Sequence, residues 1–220
     1  MRILAIGAHQ DDPDIGCGGS LILHADSGDD VTVVYATDGA AGSATIPKDQ
    51  LMPLRRTEAE HSAAVLGAKR LIFLPFSDGQ LAYAGYDLVT ELGKIIRSER
   101  PEIVYVHHQE DAHPDHRALA AATLDACRRA STPYFQEMGS GQHTVTEIRL
   151  YEVWTPLREY RRAIDVSTVI DRKTEAIRHH RTQLSLIPYD EVARGLARYR
   201  SIAVRGSTYA EVFDTARATW

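Results

Sequence analysis

Cysteine is scarce in this chain: Cys17 and Cys127 are the only two among 220 residues. Two thiols in segments that read as buried or helix-forming do not make a disulfide framework, and they are expected as small buried hydrophobes. Long apolar runs are missing as well. None approaches the roughly 18 residues that a membrane-spanning helix needs. The opening MRILAIGAH lacks the charged region, the long apolar stretch and the small-residue cleavage site of a secretory signal. A soluble, cytoplasmic protein with no membrane span is the expectation. Positive charge is also in deficit: 25 Lys and Arg stand against 30 Asp and Glu, for a net charge of −5. That balance leaves no broad electrostatic footprint for nucleic acid and disfavours a polyanionic substrate. Internal repeats and low-complexity segments are absent from the sequence.

What is present is ordinary globular composition, 25% charged and 44% hydrophobic, which removes any case for disorder. A chain of this length can bury most of its apolar surface in one core, so a single domain over 1–220 is expected. Strands are read at the β-prone start of the 3–19 stretch and at 31–36, 71–74, 103–106 and 148–154, with a short edge strand at 163–166. Helices are read at 16–25, 54–66, 87–97, 115–129, 169–183 and 189–204. The first strand, helix and second strand form a βαβ unit, whose strands lie parallel and whose crossover is right-handed. Continued alternation implies an α/β fold, a Rossmann-like, doubly wound and mostly parallel sheet flanked by helices. Two loops stand out. The 37–53 segment, rich in Gly, Ala and turn residues, follows the second strand and so belongs to the sheet edge that also carries His9. The 131–141 segment, with Tyr134 and Phe135, is either a surface connector or a substrate-facing flap.

The chemistry concentrates where the first strand stops. From Ile3 to Gly19 the chain reads ILAIGAHQDDPDIGCGG, an apolar strand turning abruptly into an acidic loop with His9, Asp11 and Asp12. Ligands of an open parallel sheet bind at the carboxyl ends of its strands, so this loop is placed for function. A neutral imidazole and a carboxylate on one tight loop can share a divalent cation, but two ligands hold it incompletely. A second loop, HHQEDAHPDHR at 107–117, again directly follows an apolar strand and offers further donors. Two strand ends that each open into a His/Asp loop can face one another across one crevice. Of the ten histidines, His24, His61, His143, His179 and His180 have no partner motif and read as surface or satisfied structural residues. His107 and His108 begin the second loop and stay outside the expected metal shell.

These residues carry a family resemblance. His9-Gln10-Asp11-Asp12, followed by Asp14-Ile15-Gly16-Cys17-Gly18-Gly19, resembles the (A)HPDDxE(I/L)GCGG signature of the LmbE-like, or PIG-L, N-deacetylases. His113-Pro114-Asp115-His116 is similar to their second signature, HPDH. Shorter echoes fall at Thr37-Asp38-Gly39, Arg55-Arg56-Thr57-Glu58, Asp78-Gly79 and Tyr151-Glu152-Val153-Trp154, so the resemblance covers most of the chain. Two departures occur, Gln10 for the usual Pro and Asp14 for the usual Glu; neither removes a ligand, but glutamine does not fix φ as proline does.

The resemblance implies a His₂Asp metal shell of His9, Asp12 and His116, with an open position for chemistry. Zinc is the preferred ion, although mixed N/O ligation also suits Fe²⁺ and other divalent cations. Asp11, as the first Asp of the signature, becomes the general base; the other reading of that residue is an additional ligand or a helix N-cap. The HPDH motif assigns His113 to oxyanion stabilisation and donation to the leaving amine, and Asp115 to holding an imidazole in place. Arg56 and Asp78 are the implied substrate contacts, against a solvated helix face and a simple turn residue respectively. The reaction implied is removal of an N-acetyl group from an N-acetylglucosaminyl compound, yielding acetate and a free amine. The partner expected is a small N-acetylated amino sugar, and because such proteins often assemble, a homo-oligomer falls within the resemblance. Three alternatives remain: an amidase for thiol conjugates using similar motifs, a nucleotide-binding module with Gly16, Gly18 and Gly19 as a phosphate cradle, and a metal-binding but inactive relative. The nucleotide reading suffers from spacing, since these glycines follow an acidic loop and do not form GxGxxG.

Overall fold

In the computed structural model, which describes residues 1–218, strand β1 (Arg2–Gly7) lies near the middle of a seven-stranded sheet. Its alternate residues face opposite layers: Leu4 and Ile6 join one buried cluster, Ile3 and Ala5 the other. A strand covered on both faces does not alternate apolar with polar, which is why it reads as an unbroken hydrophobic run. It pairs in parallel with β2 (Asp30–Thr37) and β4 (Ile103–His107), Ile3 sitting opposite both Val31 and Ile103. Truncating a side chain as enclosed as Ile6 to alanine would cost about 2–5 kcal/mol, through lost burial and the cavity left behind.

Beyond β2 lies β3 (Arg70–Phe76), and beyond β4 lies β5 (Glu147–Tyr151), both parallel. The sheet order is β3-β2-β1-β4-β5-β7-β6, completed by the antiparallel strands β6 (Arg162–Asp165) and β7 (Ala210–Ala216). Helices α3 (Gly85–Glu99) and α4 (Pro114–Ala130) cover one face with Leu88, Leu92, Ile96, Leu119 and Cys127. Helices α1 (Asp12–Asp26), α2 (Lys48–Leu66) and α5 (Ile170–Arg178) cover the other with Cys17, Leu21, Ala59, Leu66 and Ala176. Helices α6 (Arg181–Leu184) and α7 (Tyr189–Arg200) follow α5 and add a small outer cluster around Ile177 and Ala193. This is the doubly wound, mostly parallel architecture read from the sequence. Strands build outward from β1 to β3 in one direction and from β4 to β5 in the other. The loops leaving β1 and β4 therefore diverge and open a crevice between them.

Several boundaries differ from the sequence reading. Helix α1 begins at Asp12 rather than at the glycines, because Pro13 occupies its first turn, where a missing N–H costs nothing. The glycines then lie inside the helix for packing: a Cβ at Gly16 would meet the Tyr151 ring, and one at Gly19 would meet Val166. That leaves no phosphate cradle. Helix α2 begins at Lys48 and contains Pro53, so the 37–53 loop is shorter than expected. The expected helix at 169–183 is broken at His179–His180, and the strand expected to reach Trp154 leaves the sheet after Tyr151. Strand β7 was not anticipated; its AEVFDTA carries two acidic residues and no continuous apolar run. The 131–141 segment is a connector. Buried Arg97 in α3 donates to the carbonyls of Thr132, Phe135 and Gly139, tying the segment to the helix layer, and none of its residues lines the crevice. Both cysteines are buried and free. No helix among the described residues is long and apolar enough to cross a membrane.

Candidate active site

The crevice holds a cavity of about 200 Å³ lined by His9, Asp11 and Asp12 from the β1 side and His113 from the β4 side, with Ala41, Gly42, Arg55, Asp78, Val153, Trp154 and Tyr189 around them. A larger cavity of about 410 Å³ lies at the opposite, amino-terminal edge of the sheet. Its charges already pair with one another, Lys69 with Asp30 and Arg70 with Glu99, so volume is a poor guide here.

His9 and His116 come together across the crevice, His9 Nδ1 and His116 Nε2 being 3.2 Å apart. Asp12 completes the triangle, with Oδ2 3.3 Å from His9 Nδ1 and Oδ1 3.2 Å from His116 Nε2. The outer nitrogens fix the tautomers. His9 Nε2 faces Asp78 Oδ1 at 3.1 Å and Asp115 Oδ2 at 3.6 Å, and His116 Nδ1 faces Asp111 Oδ1 at 3.0 Å. Each outer nitrogen therefore carries the proton of a neutral ring, leaving the two inner lone pairs and a carboxylate aimed at one another. Acceptors converging without a donor between them form a cation site. Tetrahedral coordination with bonds of 2.0–2.1 Å would place donor atoms about 3.3 Å apart, matching the observed separations. The donor set thus fits a divalent ion, and Asp78, Asp115 and Asp111 supply the carboxylate–imidazole support that such ligands use.

Titration follows from the same geometry. Burial opposes an imidazolium at His116, yet the Asp12 and Asp111 carboxylates outweigh it and raise its pKa to about 9. His9 is likewise held well above its ordinary value, burial being overcome by Asp12, Asp115 and Asp78. Burial would push Asp12 up, but His116, His107 and His9 hold it well below the usual carboxylate range. Protons and a cation compete for the same lone pairs, so metal binding here releases protons.

Asp11 occupies the N-cap position of α1 but makes no side-chain cap hydrogen bond. Its Oδ1 instead accepts from the Arg55 guanidinium at 2.8 Å, which leaves the other oxygen available in the cavity. His113 caps α4: its Nδ1 accepts from the Asp115 backbone N–H at 3.2 Å, so the ring proton resides on Nε2. Burial, then the neighbouring His9 and His116, lower the His113 pKa. Asp115 is fully buried, accepting from the Gly79 and Leu81 N–H groups at 2.7 and 3.1 Å while facing His9. The imidazole it supports is that of His9.

Of the two implied substrate contacts, Asp78 lines the cavity, but its oxygens are engaged by His9 Nε2 and by the Ala41 N–H at 3.0 Å. Arg56 is corrected. It lies on the exposed side of α2, pairs with Glu60 at 3.2 Å and stacks over Phe73, whereas its neighbour Arg55 is buried and enters the cavity. Helical phase explains the difference: Leu51, Arg55, Ala59, Ser62 and Leu66 share the buried stripe. That stripe was available as a signal once the helix was extended back to Lys48. Asp111 was also missed, although it sits five residues before His116 in the same loop; its Oδ1 takes His116 Nδ1 and its Oδ2 takes the Trp154 N–H at 2.9 Å. His107, kept outside the metal shell, stacks on His116 with ring centroids 3.8 Å apart, while its Nε2 accepts from the Ala8 N–H. Burial and the neighbouring His116 lower its pKa to about 4, which keeps it neutral.

The two motif departures have local accommodations. Gln10 Nε2 donates to the Thr37 carbonyl at 2.9 Å, tethering the loop to β2 by a hydrogen bond in place of a proline ring. Gly39, at φ +69°, leaves room for that side chain. Asp14 is buried behind the site between Ser62 and His180, whose Nε2 faces Asp14 Oδ2 at 2.9 Å while its Nδ1 has no hydrogen-bond partner among the described residues.

Comparison with known proteins bears on the family and the fold. The family model described as PIG-L, GlcNAc-PI de-N-acetylase, matches residues 4–127, more than half of the chain. The diacetylchitobiose deacetylase of Thermococcus kodakarensis is 32% identical over 191 residues, covering 83% of this chain and 70% of that protein. A 1D-myo-inositol 2-acetamido-2-deoxy-alpha-D-glucopyranoside deacetylase of Tsukamurella paurometabola is 28% identical over 250 aligned positions, covering 85% and 84%. Among solved structures, N,N'-diacetylchitobiose deacetylase from Pyrococcus horikoshii, in complex with its inhibitor MPG, superposes with a TM-score of 0.88 at 27% identity, covering 99% of this chain and 84% of that one.

Proposed function

Because this chain belongs to the PIG-L family of de-N-acetylases, we propose that it hydrolyses the acetamide of an N-acetylglucosaminyl compound, releasing acetate and a free amine. The observation that carries this reading is the convergence of His9 Nδ1, His116 Nε2 and the Asp12 carboxylate beside Asp11, which has one oxygen free to take a proton. A divalent ion on those three residues, zinc by preference with Fe²⁺ or another divalent cation as alternatives, would lend Lewis acidity to the attacking water and the amide carbonyl.

The protein's own groups then have distinct tasks. Arg55 holds Asp11 Oδ1, so the carboxylate presents its second oxygen as proton acceptor for the attacking water. His113, with Nδ1 occupied as a helix cap, donates a hydrogen bond from Nε2–H to the oxyanion of the tetrahedral intermediate, and the proton that Asp11 takes from the attacking water is the one passed to the departing amine. Asp78 and Asp115 keep the His9 ring in its tautomer, and Asp111 does the same for His116. Direct substrate contact is assigned to the cavity wall, with Asp78 and Gly79 at one side, and not to Arg56. A cytoplasmic setting fits the two buried free thiols.

The test is acetate and amine release from a panel of N-acetylglucosaminyl compounds, using chelated protein with and without restored Zn²⁺ or Fe²⁺. Activity that vanishes with chelation and returns with one ion is expected. Release of a larger acid from a thiol conjugate, with no acetate from any sugar, would transfer the site to the amidase reading.

A further inference from the structure

Arg55 and Asp11 meet through one hydrogen bond, Nη2 to Oδ1 at 2.8 Å, whereas an arginine and a carboxylate commonly pair through two. Arg55 is 2% exposed, so its other donors cannot turn to bulk water. Nη1 faces the Gly39 carbonyl at 3.4 Å and Asp78 Oδ2 at 3.9 Å. Nε has no hydrogen-bond partner among the described residues, and neither has the side-chain oxygen Oε1 of the equally buried Gln10.

These two atoms are complementary, one a donor and the other an acceptor, and they are neighbours. A Cβ built on Gly39 would lie 2.3 Å from Gln10 Oε1 and 3.0 Å from Arg55 Cδ, the carbon that carries Nε. The amide cannot simply be turned round, because its nitrogen donates to the Thr37 carbonyl at 2.9 Å and only the NH₂ end can do so. Gln10 Oε1 is thereby held on the other side, towards Gly39 and Arg55. Buried polar groups left without a partner are rare, and a donor and an acceptor that lie close without bonding each other are where a structural water sits. The Gly39 carbonyl, already beside Arg55, is available as a further partner for it.

Resting on the deacetylase reading above, we infer that one bound water accepts from Arg55 Nε–H and donates to Gln10 Oε1, which makes Gln10 a positioning residue for the proton acceptor Asp11. The consequence follows from the shape of the guanidinium. Nε and Nη2 form one edge, and that edge can grip both oxygens of a carboxylate. With Nε–H committed to the water, only Nη2 reaches Asp11, and the second carboxylate oxygen stays free for the attacking water. Proline, the usual residue of the signature at this position, has no side-chain acceptor, so the device belongs to this chain's own sequence.

High-resolution crystals of the wild type, with steady-state kinetics of Q10M and Q10E on N,N'-diacetylchitobiose, test the inference. One water within hydrogen-bonding distance of both Arg55 Nε and Gln10 Oε1 is expected. No density there, or a direct bond between the two side chains, overturns the bridge. In Q10M, kcat should fall about tenfold with KM and zinc content unchanged, because Arg55 is then free to take both oxygens of Asp11. Q10E loses the donation to Thr37 as Q10M does but keeps an acceptor, so it should restore most of kcat. Equal kcat in the two variants, or a loss that appears only in KM, overturns the positioning role and leaves Gln10 as a tether. If the wild type turns over no acetylated sugar, the deacetylase reading fails by itself, and the wild-type crystal still decides the bridge.

Discussion

The two edges of the central sheet both carry charged side chains and use them in opposite ways. At the amino-terminal edge, Lys69 pairs with Asp30 and Arg70 with Glu99 around the larger cavity, all but Glu99 largely open to water. At the carboxyl edge the groups are buried and His9, Asp12 and His116 point acceptors at one another. Paired surface charges gain little and ask for nothing, whereas buried acceptors that face one another draw in a positive charge, either a proton on an imidazole or a metal ion. Function is marked by unmet valence at the smaller cavity, and open volume does not reveal it.

Breaking the carboxyl edge should have the largest effects. Asp11→Asn keeps the shape but removes the proton acceptor, so kcat should fall about 10²- to 10⁴-fold with metal content unchanged. Equal loss of metal would place Asp11 among the ligands instead. Asp111→Asn should weaken metal affinity about 10- to 100-fold, read by competition with a chelating dye, because His116 loses the carboxylate that fixes its ring.

Arg55 and Arg56 sharpen the contrast within one helix. Arg55→Met leaves Asp11 buried without its partner and should lower stability by about 3–5 kcal/mol in urea unfolding. Arg56→Ala should stay within about 0.5 kcal/mol, as an exposed helix position does. Equal costs for the two would contradict the placement.

Acidity separates the edges in another way. The folded, metal-free protein binds a proton at His116 up to about pH 9, while an unfolded histidine releases it near the ordinary value of about 6.5. The raised folded value means that this contribution is complete below about pH 6.5 and is lost as pH climbs towards 9. Thermal unfolding of the metal-free protein should therefore occur at lower temperature at pH 9 than at pH 6.5, and zinc should reduce the dependence. A rising midpoint over that range would oppose the assignment. A small effect is also expected at the amino edge, where Lys69→Met should change stability by less than about 1 kcal/mol and leave amine release as it was.

The parts of this molecule that could be read from sequence are those with one dominant local cause. β1 and β4 were legible because burial on both faces makes continuous apolar runs, and the loops after them because His and Asp interrupt those runs abruptly. Strand β7 was not, since its place depends on antiparallel pairing with β5 and β6 rather than on its own apolarity. In the site, the convergence of His9, Asp12 and His116 followed two recognisable motifs, but the arginine beside Asp11 depended on helix phase. A helix assumed to start after Pro53 hid the Leu51–Arg55–Ala59 stripe. Asp111 was hidden differently: nothing in its own neighbourhood distinguishes a loop aspartate that supports His116 and Trp154 from one that faces water, and only tertiary contact does so.

His9, Asp12 and His116 are proposed to hold one divalent ion while Asp11 stands beside it. This is tested most directly by zinc stoichiometry and affinity of the chelated and reloaded wild type, H9A, D12A, H116A, H113A and D11N. One ion per wild-type chain, lost in H9A, D12A and H116A and retained in H113A and D11N, is the predicted result. Zinc retained in D12A, or lost in D11N to the same degree, would contradict the account.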